Sequence, residues 1–131
     1  MVKAIFINSD KKEITEVNLS KKNTLRETYD LIGNGCELVQ TGAYLIGNDA
    51  VMVDEEGYFK EGLSGFYLRD RGYFYGNAVV WGCDEEGEHA DCETPIEKIK
   101  AGTTWVDEIL SAEIRVSVLD QPSTINVVTF L

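Results

Sequence analysis

The chain has 131 residues, 44% of them hydrophobic and 10% aromatic, and a formal net charge of −11. That length makes one ordinary domain with a real core, and the apolar content excludes a disordered chain. The charge disfavours direct binding to nucleic acid or to an anionic membrane, and no apolar run approaches the roughly 20 residues of a bilayer span.

"MVKAIFINSDKK" lacks the apolar core of a signal peptide. Three cysteines (Cys36, Cys83, Cys92) are an odd set for a secreted disulfide scaffold. Reduced thiols fit the cytoplasm.

The first elements are a strand in "KAIFINSD", a turn at Ser9–Asp10 and a returning strand in "EITEVNL". "NTLRETYDLIGNG" predicts a helix over about 24–33. Thr24 and Glu27 make a capping box, Leu25, Tyr29 and Ile32 an apolar stripe, and Gly33 or Gly35 the stop. "CELVQT" and "AVMVD" read as short strands, and "GFYLRDRGYFYG" as a hairpin turning at Asp70–Gly72. "NAVVWGC" is nearly continuously apolar and predicts a central strand. "ETPIEKIKAG" predicts a short second helix over about 95–101, with Thr94 as N-cap, Pro95 first, Glu97 closing a capping box and Gly102 as the stop. "EIRVSVLDQPSTINVVTF" alternates on both sides of Asp120–Ser123 and predicts a C-terminal hairpin, whose edge could pair a homodimer. The expected fold is a single α+β domain over 1–131 with a mainly antiparallel sheet.

"DEEG" occurs twice, at Asp54–Gly57 and Asp84–Gly87. An EF-hand loop with Gly at its sixth position would put Met52 or Gly82 at its first, and neither supplies a carboxylate. Each copy follows an apolar strand, so both read as turns with Asp first and a left-handed Gly last. Gly-Asn precedes a strand in "LIGNGCELV", "LIGNDAVMV" and "YGNAVVWG", at spacings too unequal for a solenoid.

A helix ending "LIGNGCELVQ", then "AVMVDEEG", then "GNAVVWGCDEEGEHADCETPIEKI" together resemble a small domain family of unknown function found in bacteriophages, plasmids and other mobile elements. The likeness covers about residues 2–100, with a core of about 2–102 and an extension, 103–131, outside it. The family tends to have adjacent glycines where this chain has Gly33, Asn34, Gly35. The resemblance implies a mobile-element origin and no activity, since the family has no assigned catalytic residues.

Four constellations carry candidate chemistry. Cys83, His89 and Cys92 form C-x5-H-x2-C, a weak zinc candidate with Cys36 as fourth ligand, because zinc sites normally use closer pairs. A Cys–His nucleophile would have to involve His89 inside an acidic loop, where the acids raise a thiol's pKa. We therefore expect neither an enzyme nor a cofactor. "FYLRDRGYFYGN" sets Arg69 and Arg71 among Tyr73, Tyr75 and other aromatics, the residue types that grip an anion and stack on a base. It is the candidate contact for a small ligand or nucleotide, although sheet core alone would also place aromatics here.

From Asp84 to Glu97 there are seven acids and no Lys or Arg. Asp84, Glu85, Glu86, Glu88, Asp91 and Glu93 form a candidate interaction surface. Carboxylate rows can imitate the charge of DNA, one per ~1.7 Å of duplex axis, against a basic nucleic-acid-binding host complex. The leading expectation is such an anti-defence inhibitor, with solubility as the ordinary explanation of the charge. The alternative is a small-ligand binder.

Overall fold

The computed structural model describes residues 1–37, 39–57, 60 and 64–106, together with the backbone of 108–109 and 127–128. The main sheet runs β1 (Val2–Asn8), β2 (Glu13–Leu19), β3 (Val39–Tyr44), β4 (Ala50–Asp54) and β7 (Ala78–Cys83), in the order β2-β1-β7-β4-β3. All its pairings are antiparallel, and the two-residue strand β8 (His89–Ala90) adds to β7. A smaller antiparallel sheet holds β5 (Gly65–Leu68) between β6 (Gly72–Tyr75) and β9 (Thr103–Val106). The helices are α1 (Thr24–Ile32) and α2 (Ile96–Gly102). This is the expected single-domain α+β fold.

Strand parity builds the core. On β7, Ala78 and Val80 join Ile5, Ile7, Val51 and Phe66 in one buried cluster. Val79 and Trp81 join Val2, Ala4, Met52 and Ile32 in the other. The second sheet and α2 supply Phe66, Leu68, Phe74 and Ile99 to the first face, while Ile32 of α1 reaches the second. β7 is therefore covered on both faces, which is why its sequence is apolar throughout. Gly42 of β3 marks the tightest approach of the sheets, since a Cβ there would lie 2.7 Å from the Phe74 ring.

Both helices start differently from expectation. Asn23 precedes α1 without a side-chain cap bond, and Thr24 is already helical and buried. The Thr24 hydroxyl donates to the Ser20 carbonyl at 2.9 Å, and the Ser20 N–H donates to the Glu27 carboxylate at 2.9 Å. The turn before the helix, closed by the Asn23 N–H on the Ser20 carbonyl, has displaced the capping box. Nor is Leu25, Tyr29, Ile32 the buried stripe: Leu25 is 43% exposed, and Thr24, Thr28 and Ile32 are buried instead. The Thr28 hydroxyl satisfies itself on the Thr24 carbonyl at 2.8 Å. At α2, Pro95 lies just outside the helix, and its carbonyl accepts the Lys98 and Ile99 amides. Gly102 belongs to the helix, and Thr103 opens β9 at once.

The tail does not begin as a separate extension, because β9 pairs along all of β5. Farther on, Glu108–Ile109 (β10) pairs with Val127–Val128 (β11) in parallel register. The predicted turn at Asp120–Ser123, and with it the homodimer edge, lies outside the described residues.

The Gly-Asn pairs are recurrent turn chemistry, with left-handed backbone at Gly33, Gly47 and Gly76. Asn77 adds a tie, accepting the Ser9 N–H at 2.8 Å and donating to the Ile32 carbonyl at 3.2 Å. Both DEEG segments are Asp turns, in which Asp54 accepts the Glu56 amide and Asp84 the Glu86 amide, each at 2.9 Å. Gly87 is left-handed as expected, with φ 82°. Gly57 is not; a Cβ there would sit 3.3 Å from that of Tyr75, so close packing accounts for it.

The fully buried Asp49 joins two distant segments. Its carboxylate accepts the Glu93 N–H at 3.0 Å and the Thr94 N–H and hydroxyl at 2.6 Å each. Its backbone closes the Leu45–Asp49 turn through the Leu45 N–H on the Asp49 carbonyl at 2.8 Å. Gly82 makes room, since a Cβ there would fall 2.5 Å from the Asp91 carbonyl oxygen and 3.1 Å from Asp49 Oδ1. Asp49→Ala should lower the unfolding free energy by about 3 kcal/mol or more, because buried donors lose their acceptor. Asp84→Ala, at an exposed turn, should cost about 1 kcal/mol or less. Urea denaturation of both variants checks the contrast.

Candidate functional site

A cleft of about 280 Å³ opens between the Leu45–Asp49 loop, the β5–β6 turn and α2. Arg69 and Arg71 reach it from the turn and Lys98 from the helix, with Asp70 as the acid at its rim. Leu68 and Ile99, both buried in the core, line it beside Leu45, Ile46 and Ala101. The turn that carries the arginines is held by the Arg71 N–H on the Leu68 carbonyl at 2.9 Å and by left-handed Asp70, φ 62°. α2 is docked on it through the Arg69 N–H to the Gly102 carbonyl at 2.8 Å.

The Arg71 guanidinium is oriented before any ligand arrives. Its Nε–H donates to the Tyr44 carbonyl at 2.5 Å and its Nη1 to the Asp70 carbonyl at 3.3 Å. Arg69 and Lys98 are exposed and make no ion pair among the described residues. A planar forked donor and a compact ammonium facing one concavity can hold an anionic oxygen from two sides.

The expected ligand-contact set divides in two. Tyr73 and Tyr75 line a separate groove with Gln40, Gly42 and Asp54. The hairpin's geometry is the cause: Arg69 and Arg71 lie in its turn, whereas Tyr73 sits farther along, paired with Tyr67 at a ring distance of 4.7 Å. Phe66 and Phe74 are core, as ordinary strand chemistry predicts.

The acidic set also divides by role. Glu85, Glu86 and Glu88 are exposed at the tip of the β7–β8 hairpin, with Glu88 4.0 Å from Lys21. Asp84 sits beneath them, accepting the Glu86 and Glu88 amides at 2.9 Å each. Asp91 accepts the Lys3 N–H at 2.8 Å, and Glu93 lies against Gly47. Two of the six carboxylates thus hold backbone.

The C-x5-H-x2-C candidate is not assembled. Cys83 and His89 are cross-strand partners, and the His89 ring lies against Trp81 at 4.6 Å. Cys92 belongs to the opposite core cluster from Trp81, and Cys36 packs against the Trp81 side. Among the described residues, no group of three or more His, Cys, Asp or Glu is placed to hold a metal. Nor is any helix among them long and apolar enough to cross a membrane.

No family model, curated protein or solved structure matches the chain.

Sequence reasoning missed Lys98, Ile46 and Asp49. Lys98 was readable as part of α2, but nothing local says that α2 docks beside the Arg69 turn. Asp49 is one acid among 23, and only its long-range partners distinguish it.

Burial, then the neighbouring Asp49 carboxylate, push the Cys92 thiol up from 9.0 to about 12. Its folded pKa is raised, so its contribution to stability is complete below pH 9.0 and is lost as pH rises toward about 12. Alkaline unfolding of Cys92→Ser should therefore fall less steeply with pH across that window than the wild type. In the native protein at pH 8, alkylation mapped by mass spectrometry should label Cys83 well before Cys92, which reacts once the chain is unfolded.

Proposed function

We propose that this protein is a non-enzymatic binding module that takes a small anion into the cleft of Arg69, Arg71 and Lys98. One observation carries the reading: three cations from two elements converge on a concavity in a chain with 12 Lys and Arg against 23 acids. Cations are the minority sign, so their concentration around one cleft, with Asp70 the one acid among its described lining residues, is the feature that solubility does not explain. The cleft is walled by the Asp49-braced loop and by α2, so little ordering accompanies binding.

Amide shifts in an isotope-labelled sample, titrated with acetate and with inorganic phosphate at constant ionic strength, test this. Perturbations should gather at Ile46, Arg69–Arg71 and Lys98–Gly102, with Kd on the order of 1 mM, as befits a small ligand in an open cleft. They should vanish in an Arg69→Ala, Lys98→Ala double variant. Asp70→Asn keeps the left-handed backbone, which Asn tolerates, and removes the opposing charge. It should tighten binding about threefold, the order of one charge at close range in water. Scattered shifts that survive the double variant would sink the reading.

A second reading keeps the anti-defence role expected of a mobile-element protein, through Glu85 and Glu86. Its support is that Asp84 fixes the turn beneath them, so these carboxylates are presented from a rigid tip. A basic, nucleic-acid-binding host protein should then be retained on the immobilised chain at low salt and shed at high salt. Glu85→Lys with Glu86→Lys should abolish its retention. Equal retention by this variant would eliminate the acidic tip as the contact.

A further inference from the structure

We infer that the ligand of the cationic cleft is a short aliphatic carboxylate, with one anionic head and a chain of a few carbons. This rests on the anion-binding reading above and narrows it.

Size is the first constraint. The cleft, at about 280 Å³, falls just below the roughly 300–1,000 Å³ typical of pockets for drug-sized ligands. A nucleotide, with more than about twenty non-hydrogen atoms, would leave much of itself outside. The lining is the second. Among the described residues no aromatic side chain lines this cleft: Tyr73 and Tyr75 line another groove, and Trp105 lines a third with Ile14 and Lys100. Among these lining side chains a base would find no aromatic face to stack on.

What the cleft does offer is aliphatic. Leu45, Leu68 and Ile99 line it, and Ile46 stands 44% exposed at its edge. The neutral hydroxyl at the site, on Thr94, already donates to Asp49 at 2.6 Å. Its one proton is therefore committed before a ligand arrives and only its lone pairs stay open, which counts against a sugar or other polyol, whose recognition needs several free partners. Charge is the last constraint. Arg71 is engaged by the Tyr44 and Asp70 carbonyls, and the Asp70 carboxylate offsets one of the two exposed cations, Arg69 and Lys98, so the balance suits a single negative head.

The test is a shift titration of the full-length chain with acetate, butyrate, hexanoate, inorganic phosphate and adenosine monophosphate at fixed ionic strength. Affinity should rise about threefold per added methylene up to hexanoate, near the value for burying each CH₂ in a partly open site. Phosphate and adenosine monophosphate should bind no tighter than acetate. Ile46→Ser alters a side chain that is 44% exposed at the edge of the cleft, so the fold is kept; it should flatten the chain-length series far more than it weakens acetate binding. A flat series in the wild type, with acetate or phosphate binding that Arg69→Ala, Lys98→Ala abolishes, would overturn the aliphatic assignment and leave the anion site standing. No saturable shift with any of the five would overturn the anion site and this assignment together.

Discussion

One buried carboxylate holds two remote parts of the chain in register. Asp49 lies on the turn that leads into β4, and its acceptors take donors from Glu93 and Thr94, more than forty residues later. A carboxylate is a poor choice for a protein interior unless every lone pair has work to do. Here three N–H and O–H donors meet it, and the Cys92 thiol lies 3.4 Å away. The consequence reaches the cleft. The loop bearing Leu45 and Ile46 and the segment leading into α2 both border it, and this side chain ties one to the other.

The same economy recurs across the acidic residues. Asp54 accepts the Glu56 amide and pairs with Lys60 at 2.5 Å; Asp84 accepts two turn amides; Asp91 accepts the Lys3 amide. Short aspartates at strand ends act as backbone acceptors, while the longer glutamates at 85, 86 and 88 face solvent. A net charge of −11 therefore overstates how much acidity is on offer to a partner. It also sharpens the contrast with the Arg69, Arg71 and Lys98 cleft, where cations gather against the prevailing sign.

Local chemistry was legible in the sequence wherever the signal was periodic or punctuated. β1, β2, β4, the β5–β6 turn and the central β7 all follow from alternation, continuous apolarity or turn residues such as Asp70 and Gly72. The helices were readable as helices, yet their caps were not. Thr24 and Thr94 match a capping pattern, but Ser20 and Asp49 offered their hydroxyls better partners. The same limit applied to the site. Arg69 and Arg71 could be singled out, but their separation from Tyr73 and their meeting with Lys98 depend on which elements dock. Pairing of β5 with β9, whose partners lie 35 to 41 residues apart, decides that, and no local pattern encodes it.

That pairing has a consequence for synthesis. β5 lies between β6 and a strand that follows α2, and the Phe66 ring meets Trp105 edge-on at 6.4 Å. On a ribosome β1 to β4 and the β5–β6 hairpin emerge first, and β7 then completes the five long strands of the main sheet, which can pair without anything beyond Cys83. The hairpin then waits with one edge bare until residues 96–106 arrive, on the order of a second later at ordinary elongation rates. During that interval the nascent chain has its largest sheet but no cleft. The cleft is thus a late acquisition in translation, and a pause within this interval would prolong the life of an unpaired, aromatic strand edge.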